Sequence, residues 1–219
     1  MKKTGNKNWD IHWSKLNKSL LGNFCSFYRK NIIANAVAYY LDKYFPNKGT
    51  FVECGSGTSQ TTIRLNKRNR KIIALDIAPS ALKLAKQVKQ IDECIVGNIL
   101  NLPFKDSSIE GIWNLGVMEH LTEDEIKKTL SEFSRVLKEE SYAILFWPPK
   151  IGPVNITITA IEAMAKVFRK EIDLFPDEIN LLSSKIDLKK LAFECDFSKV
   201  EVKHSPRDMF THAIVIFKK

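Results

Sequence analysis

The residues with the clearest chemical potential fall at the ends of apolar runs, between positions 53 and 120. Glu53 is followed by two glycines one residue apart, Gly55 and Gly57, directly after the short apolar run Phe51-Val52. Glycine lacks a Cβ, so such a turn lets bare backbone approach a ligand. Asp76 closes the next apolar run, 19 residues after Gly57, and a carboxylate there can accept hydrogen bonds from two adjacent hydroxyls. Ile77 beside it can cover one face of a planar ring, and Ile99 follows Asn98 in the next such position. The amide of Asn98 can accept from an exocyclic amine and donate to a ring nitrogen. Asn114 to His120 ends a fourth run, and its Glu119 and His120 are candidates for taking up a proton, histidine having the more useful ordinary pKa. His12, His204 and His212 are weaker candidates, read as structural or surface residues.

A dinucleotide fingerprint is not present, because the position three residues after Gly57 is Gln60 rather than glycine. No Cys-x-x-Cys pair or histidine cluster is present, so no metal is expected. Cys25, Cys54, Cys94 and Cys195 are scattered and read as reduced thiols of a cytoplasmic protein. The polar N-terminus leads into no apolar core of a secretory signal, and no run of about 18 apolar residues exists to span a membrane.

Strand and helix alternate from residue 50 in the way needed to bring these groups to one edge. Apolar runs at 71–75, 93–96, 111–115 and 142–147 read as buried strands, with amphipathic helices between them. One helix opens at Pro79 and carries Leu82, Ala85 and Val88. Another opens with the capping box Thr122-Glu-Asp-Glu125 and carries Ile126, Leu130, Phe133 and Leu137. Alternation of this kind specifies an α/β domain with a doubly wound, mostly parallel sheet. In such a sheet ligands bind outside the carboxyl ends of the strands, where Glu53, Asp76, Asn98 and Asn114 all fall. Two terminal strands, 199–203 and 213–217, are joined by a short turn at Ser205-Pro206, which makes the last strand antiparallel.

Together these stretches resemble the type 11 branch of the class I S-adenosylmethionine (SAM) dependent methyltransferases. Glu53-Cys-Gly-Ser-Gly57 matches its motif I, Asp76 its ribose-binding acid, and Gly97-Asn98-Ile-Leu-Asn-Leu-Pro-Phe104 its Gly-Asp-x-x-x-Leu-Pro-Phe segment. Val117-Met-Glu-His-Leu121 and Arg135-Val-Leu-Lys138 match two further motifs, and Cys195-Asp-Phe197 stands where Ala-Gly-Phe is usual. The resemblance covers residues 49–147 and, more weakly, 184 onward. It implies a Rossmann-like seven-stranded sheet with its last strand reversed, SAM as cofactor, and cofactor binding by Glu53, Gly55, Gly57, Asp76, Ile77, Asn98, Ile99 and Asn114. Three positions depart from the pattern. Ser59 replaces a third glycine, Asn98 an aspartate, and Asp196 a glycine.

Residues 1–48 read as N-terminal helices capping the domain at 49–219, and 148–184 as a helical insertion after the fifth strand that overhangs the site. Trp9, Trp13 and Leu16 form one stripe, and Ile33, Val37, Tyr40 and Tyr44 a second. Trp13, Tyr28 and Trp147 are the candidate substrate-binding residues, since aromatic faces favour a cationic ligand. Pro148-Pro149 follows the fifth strand rather than the fourth and lacks a preceding amide or acid, which disfavours amino methylation of nucleic acid. The expected acceptor is a small molecule or a lipid- or sugar-linked precursor. The alternatives are an RNA or ribosome-associated substrate, prompted by a net charge of +9, and a SAM-binding protein without catalysis. The sequence leaves the oligomeric state open.

Overall fold

The computed structural model describes residues 26–150, 180–183 and 186–219. Seven strands form one sheet among them: β1 (Lys48–Cys54), β2 (Asn69–Asp76), β3 (Glu93–Val96), β4 (Ile109–Leu115), β5 (Leu137–Trp147), β6 (Lys199–His204) and β7 (Ala213–Lys218). Their order is β3-β2-β1-β4-β5-β7-β6, with β7 antiparallel to both neighbours and the β1 to β5 pairings parallel. The chain runs outward from β1 to β3 and then returns to the other side of β1. That reversal leaves a crevice between the carboxyl ends of β1 and β4.

The strands are apolar on both faces because both are covered. Helix α1 (Ala34–Tyr44) lies on one face, and its Ala36, Val37 and Leu41 are wholly buried against Phe51, Trp113, Ile144 and Phe146. Helix α2 (Pro79–Ala85) buries Leu82 and Ala85 against Ala74. The opposite face packs under α3 (Glu123–Val136) and α4 (Leu188–Glu194). In α3, Ile126, Leu130 and Phe133 are buried, each stabilising by roughly 1.5–3 kcal/mol relative to exposure. Its start is the expected capping box: Thr122 Oγ1 accepts from Glu125 N–H, and Thr122 N–H donates to the Glu125 carboxylate at 2.8 Å. Asp187 caps α4 by accepting from Lys189 and Lys190 N–H. A buried Arg70 guanidinium pins the start of β2 to the end of α1, donating to Asp42, Phe45 O and Pro46 O.

Three local expectations change. No α-helix follows the glycine turn; the connection to β2 holds only a 3-10 turn, Thr62–Arg64, because eleven residues separate Gly57 from β2. Strand β5 begins at Leu137, where α3 passes straight into strand, rather than at Tyr142. Helix α2 stops at Ala85, so Val88 lies in the turn beyond it. The helices expected around Trp13 and from Ile158 to Ile172 lie outside the described residues. No helix among the described residues is long and apolar enough to cross a membrane.

Candidate active site at the carboxyl edge of the sheet

The glycine turn is fastened to the neighbouring strand. Gly55 and Ser56 N–H both donate to Leu75 O, at 2.8 and 3.0 Å. Gly55 has φ +68°, and a Cβ there would lie 2.6 Å from Val117 Cγ2, so glycine is required twice over. Gly57, at φ +51°, donates its N–H to Asp76 Oδ2 at 2.7 Å, and Ala78 N–H donates to Oδ1 at 2.8 Å. These two bonds orient the carboxylate at the end of β2 while a carboxylate retains about four acceptor positions in all. Asp76 is thus held in place before any ligand arrives.

Glu53 has a different place from the one its motif implies. Its side chain turns under the loop rather than out toward the crevice, 3% exposed, with Thr62 Oγ1 donating at 2.9 Å and Thr61 Oγ1 at 3.5 Å. Burial pushes its pKa up to about 7, with Ser59, Thr62, Trp113 and Thr61 pulling it partly back. Ser59, at φ +51°, takes the left-handed conformation that a glycine would adopt more readily, as does Asp196 at φ +59°.

Asn98 is exposed just beyond β3, and its Oδ1 accepts from Leu100 N–H at 2.9 Å, so the amide oxygen is engaged in its own turn. Ile99 is half-buried against the core, while Ile77 is 56% exposed beside Asp76. The 102–106 stretch that follows Asn98 is tied to α3. Arg135 donates to Leu102 O, Phe104 O and Asp106, and Leu102 N–H donates to Glu132. Asn114, at the end of β4, is wholly buried, and neither atom of its amide has a hydrogen-bond partner among the described residues.

Glu119 and His120 sit in the 3-10 turn Met118–His120. Glu119 is buried with its carboxylate against Gly116, where an added Cβ would be 3.4 Å from Oε1. His120 is half-buried and has a partner of its own. Trp147 is fully buried, with its indole N–H donating to Asn180 O at 2.8 Å, and offers no surface to an acceptor. Tyr28 stands at the carboxyl edge, its hydroxyl 2.6 Å from Thr211 Oγ1 and donating to Asp208 O. Trp13 lies outside the described residues.

Two features escaped the sequence reading. Asn180 binds across the edge: its N–H donates to Glu119 O, its side chain to Leu121 O, and its carbonyl accepts from Trp147. The loop between β6 and β7 holds a buried pair, Asp208 and His212, with Oδ2 accepting from His212 N–H and lying 3.1 Å from Nδ1. His212 packs edge-on to Phe146, and Ala213 pairs with Trp147, so this pair is level with the β4 turn across two strands. Asp208 and His212 are four apart in a loop, a spacing that carries no periodic signal. In the same loop Met209 and Phe210 have φ +56° and +58°, a conformation costing about 1–2 kcal/mol per residue. Among the described residues no group of His, Cys, Asp and Glu is arranged to hold a metal ion.

Comparison with known proteins agrees with this geometry. The family described as "Methyltransferase domain" matches residues 52–145. The chain is 33% identical over 110 residues to the biotin biosynthesis bifunctional protein BioHC of Cellvibrio japonicus, covering 48% of this chain and 22% of that protein. It is 34% identical over 128 residues to an uncharacterized protein of Methanocaldococcus jannaschii, covering 58% of this chain and 51% of that one. The match thus spans about half or less of these curated relatives. A SAM-dependent methyltransferase of Thermotoga maritima superposes with a TM-score of 0.67 at 18% identity, covering 96% of this chain and all of that one. One from Archaeoglobus fulgidus gives 0.64 at 13% identity, with 97% and 100% covered. Residues 52–145 are thus similar to a methyltransferase domain, and the glycine turn, the oriented Asp76 and the reversed last strand belong to the fold that the solved SAM-dependent methyltransferases share.

Proposed function

We propose that the chain is a SAM-dependent methyltransferase acting on a small-molecule or lipid- or sugar-linked acceptor. The observation that carries this reading is the Asp76 carboxylate, fixed by Gly57 and Ala78 N–H beside a glycine turn at the sheet's reversal point. The residues present fit the donor. Gly55 and Gly57 would let backbone meet its methionyl portion and ribose, Asp76 would accept from the ribose hydroxyls, Ile77 and Ile99 would cover the adenine, and the Asn98 NH2 would donate to its ring. The buried amide of Asn114, without a hydrogen-bond partner among the described residues, lies at the end of β4 beside the same crevice. Glu53 supports the site through the Thr61–Thr62 turn that it holds.

When bound, SAM supplies a methyl group on a sulfonium for in-line displacement. The chain's part is to align the acceptor with it and, where the acceptor must lose a proton, to receive that proton. With ribose on β2 and adenine toward β3, the acceptor side faces β4, β5 and β7. Tyr28, His120 and the Asp208–His212 pair lie on that side. Asp208 holds the buried His212 ring in place through Nδ1, and His120 and Glu119 are the candidate bases.

Calorimetric titration with SAM tests the reading. Asp76→Ala is expected to weaken binding at least tenfold, since two lost hydroxyl contacts contribute about 1 kcal/mol or more each. Unchanged affinity, or preference for a nicotinamide dinucleotide, would show that the crevice serves something else. The net charge of +9 favours RNA as the second reading of the acceptor, and absence of RNA binding at physiological salt removes it.

A further inference from the structure

The β6–β7 loop spends conformational strain on displaying apolar surface. Met209 is 55% and Phe210 46% exposed, both at positive φ, where glycine or asparagine would sit without penalty. The base of the loop is rigid. Ser205 Oγ accepts from Arg207 N–H, Phe210 N–H donates to Ser205 O, and Met209 N–H to Pro206 O. The fully buried Asp208 binds His212, and the Tyr28 hydroxyl donates to Asp208 O. Nothing in this scaffold requires large side chains at the tip, since neither is buried by it.

The surroundings of the tip are cationic and aromatic. Arg207 is exposed, its guanidinium 4.0 Å from the centre of the Tyr39 ring, which is itself 40% exposed. Phe27, 63% exposed, precedes the Tyr28 that anchors the loop, and Lys30 follows on the same turn. The loop's own acid, Asp208, points inward, so it sets no negative charge against them. Apolar side chains projecting from a hydrogen-bonded base, with Arg207 beside them on a chain of net charge +9, match the chemistry of an anionic bilayer surface. Nucleic acid would use the cations but gains little from an exposed methionine.

We propose that the Arg207–Phe210 tip, with Tyr39 beside it, docks the chain on anionic lipid and turns the carboxyl edge of the sheet toward the headgroups. The proposal is independent of the methyl-transfer assignment and is tested without any acceptor. The full chain is floated with phosphatidylcholine vesicles, with and without phosphatidylglycerol. Association is expected with the anionic vesicles and to weaken as salt rises. The double substitution Met209→Asn with Phe210→Asn keeps residues suited to positive φ, so it retains the fold, checked by its melting curve. It is expected to lower vesicle association by roughly tenfold or more, and Arg207→Gln by several-fold, with SAM affinity unchanged. No association of the unaltered chain with anionic vesicles overturns the proposal. So does equal association of the asparagine variant, or retention of a single-stranded RNA oligonucleotide where vesicles are not retained.

Discussion

Glu53 offers the sharpest test of the structure because its environment sets both the sign and the size of a pH effect. Burial raises its pKa from the ordinary value of 4.5 to about 7. Between those two pH values the folded chain holds a proton that the unfolded chain has released, so stability falls as pH rises through the window. Below about pH 4.5 the group is protonated in both states, and above about pH 7 it is ionised in both, so it adds no slope there. Each tenfold change in proton affinity is worth about 1.4 kcal/mol, which makes the fall across the window roughly 3 kcal/mol. Glu53→Gln resembles the protonated form, and the Thr61 and Thr62 hydroxyls can accept from its amide as well as donate. Urea unfolding of both proteins from pH 5 to pH 8.5 isolates the effect, since the other titrating groups are common to them. The variant's advantage is expected to grow by roughly 3 kcal/mol over that range, the larger part before pH 7. Two pH profiles that stay parallel within about 0.5 kcal/mol would refute the buried, proton-holding Glu53.

Other changes follow from contacts at the same edge. Gly55→Ala should destabilise by about 2–4 kcal/mol by urea unfolding, through positive φ and the Val117 overlap, and adding Val117→Ala should recover only the overlap. Complete recovery would mean that backbone conformation contributes nothing there. Asp208→Asn should cost about 1.5–3 kcal/mol by weakening the charge-assisted bonds to His212, and an unchanged melting curve would contradict that pairing. With an acceptor in hand, His120→Ala separates base from scaffold: a base loses about a hundredfold in kcat with little change in SAM affinity, whereas equal losses mark a positioning role.

What the sequence disclosed was whatever has a period or a fixed spacing. The apolar runs gave the strands, Thr122 and Glu125 gave the start of α3, and the interval from Gly57 to Asp76 is the span of one β-turn-β unit whose ends the structure joins by a hydrogen bond. Contacts between distant segments had no such signature. Nothing in the chain around Asn180 signals that it bridges Trp147, Glu119 and Leu121, because those partners lie 33 to 61 positions away. Glu53 was read as facing the ligand because a polar residue ending a strand usually meets the crevice. Strand alternation instead puts it on the same face as Trp113, under the threonines. The ring of Trp147 carries the signal of an acceptor contact, yet it is wholly buried in the core with its indole N–H bound to Asn180 O.

The pairing of Pro148–Lys150 with Leu182 bears on changes of chain length. Lys150 N–H donates to Leu182 O at 2.7 Å and Leu182 N–H to Pro148 O at 2.9 Å, so positions 150 and 182 are held side by side. Lengthening or replacing the stretch between them costs little closure entropy and leaves the register of β5 and β7 untouched. A change of length between positions 150 and 180 is therefore expected to leave the hydrogen bonds that hold Asp76 beside the glycine turn as they are.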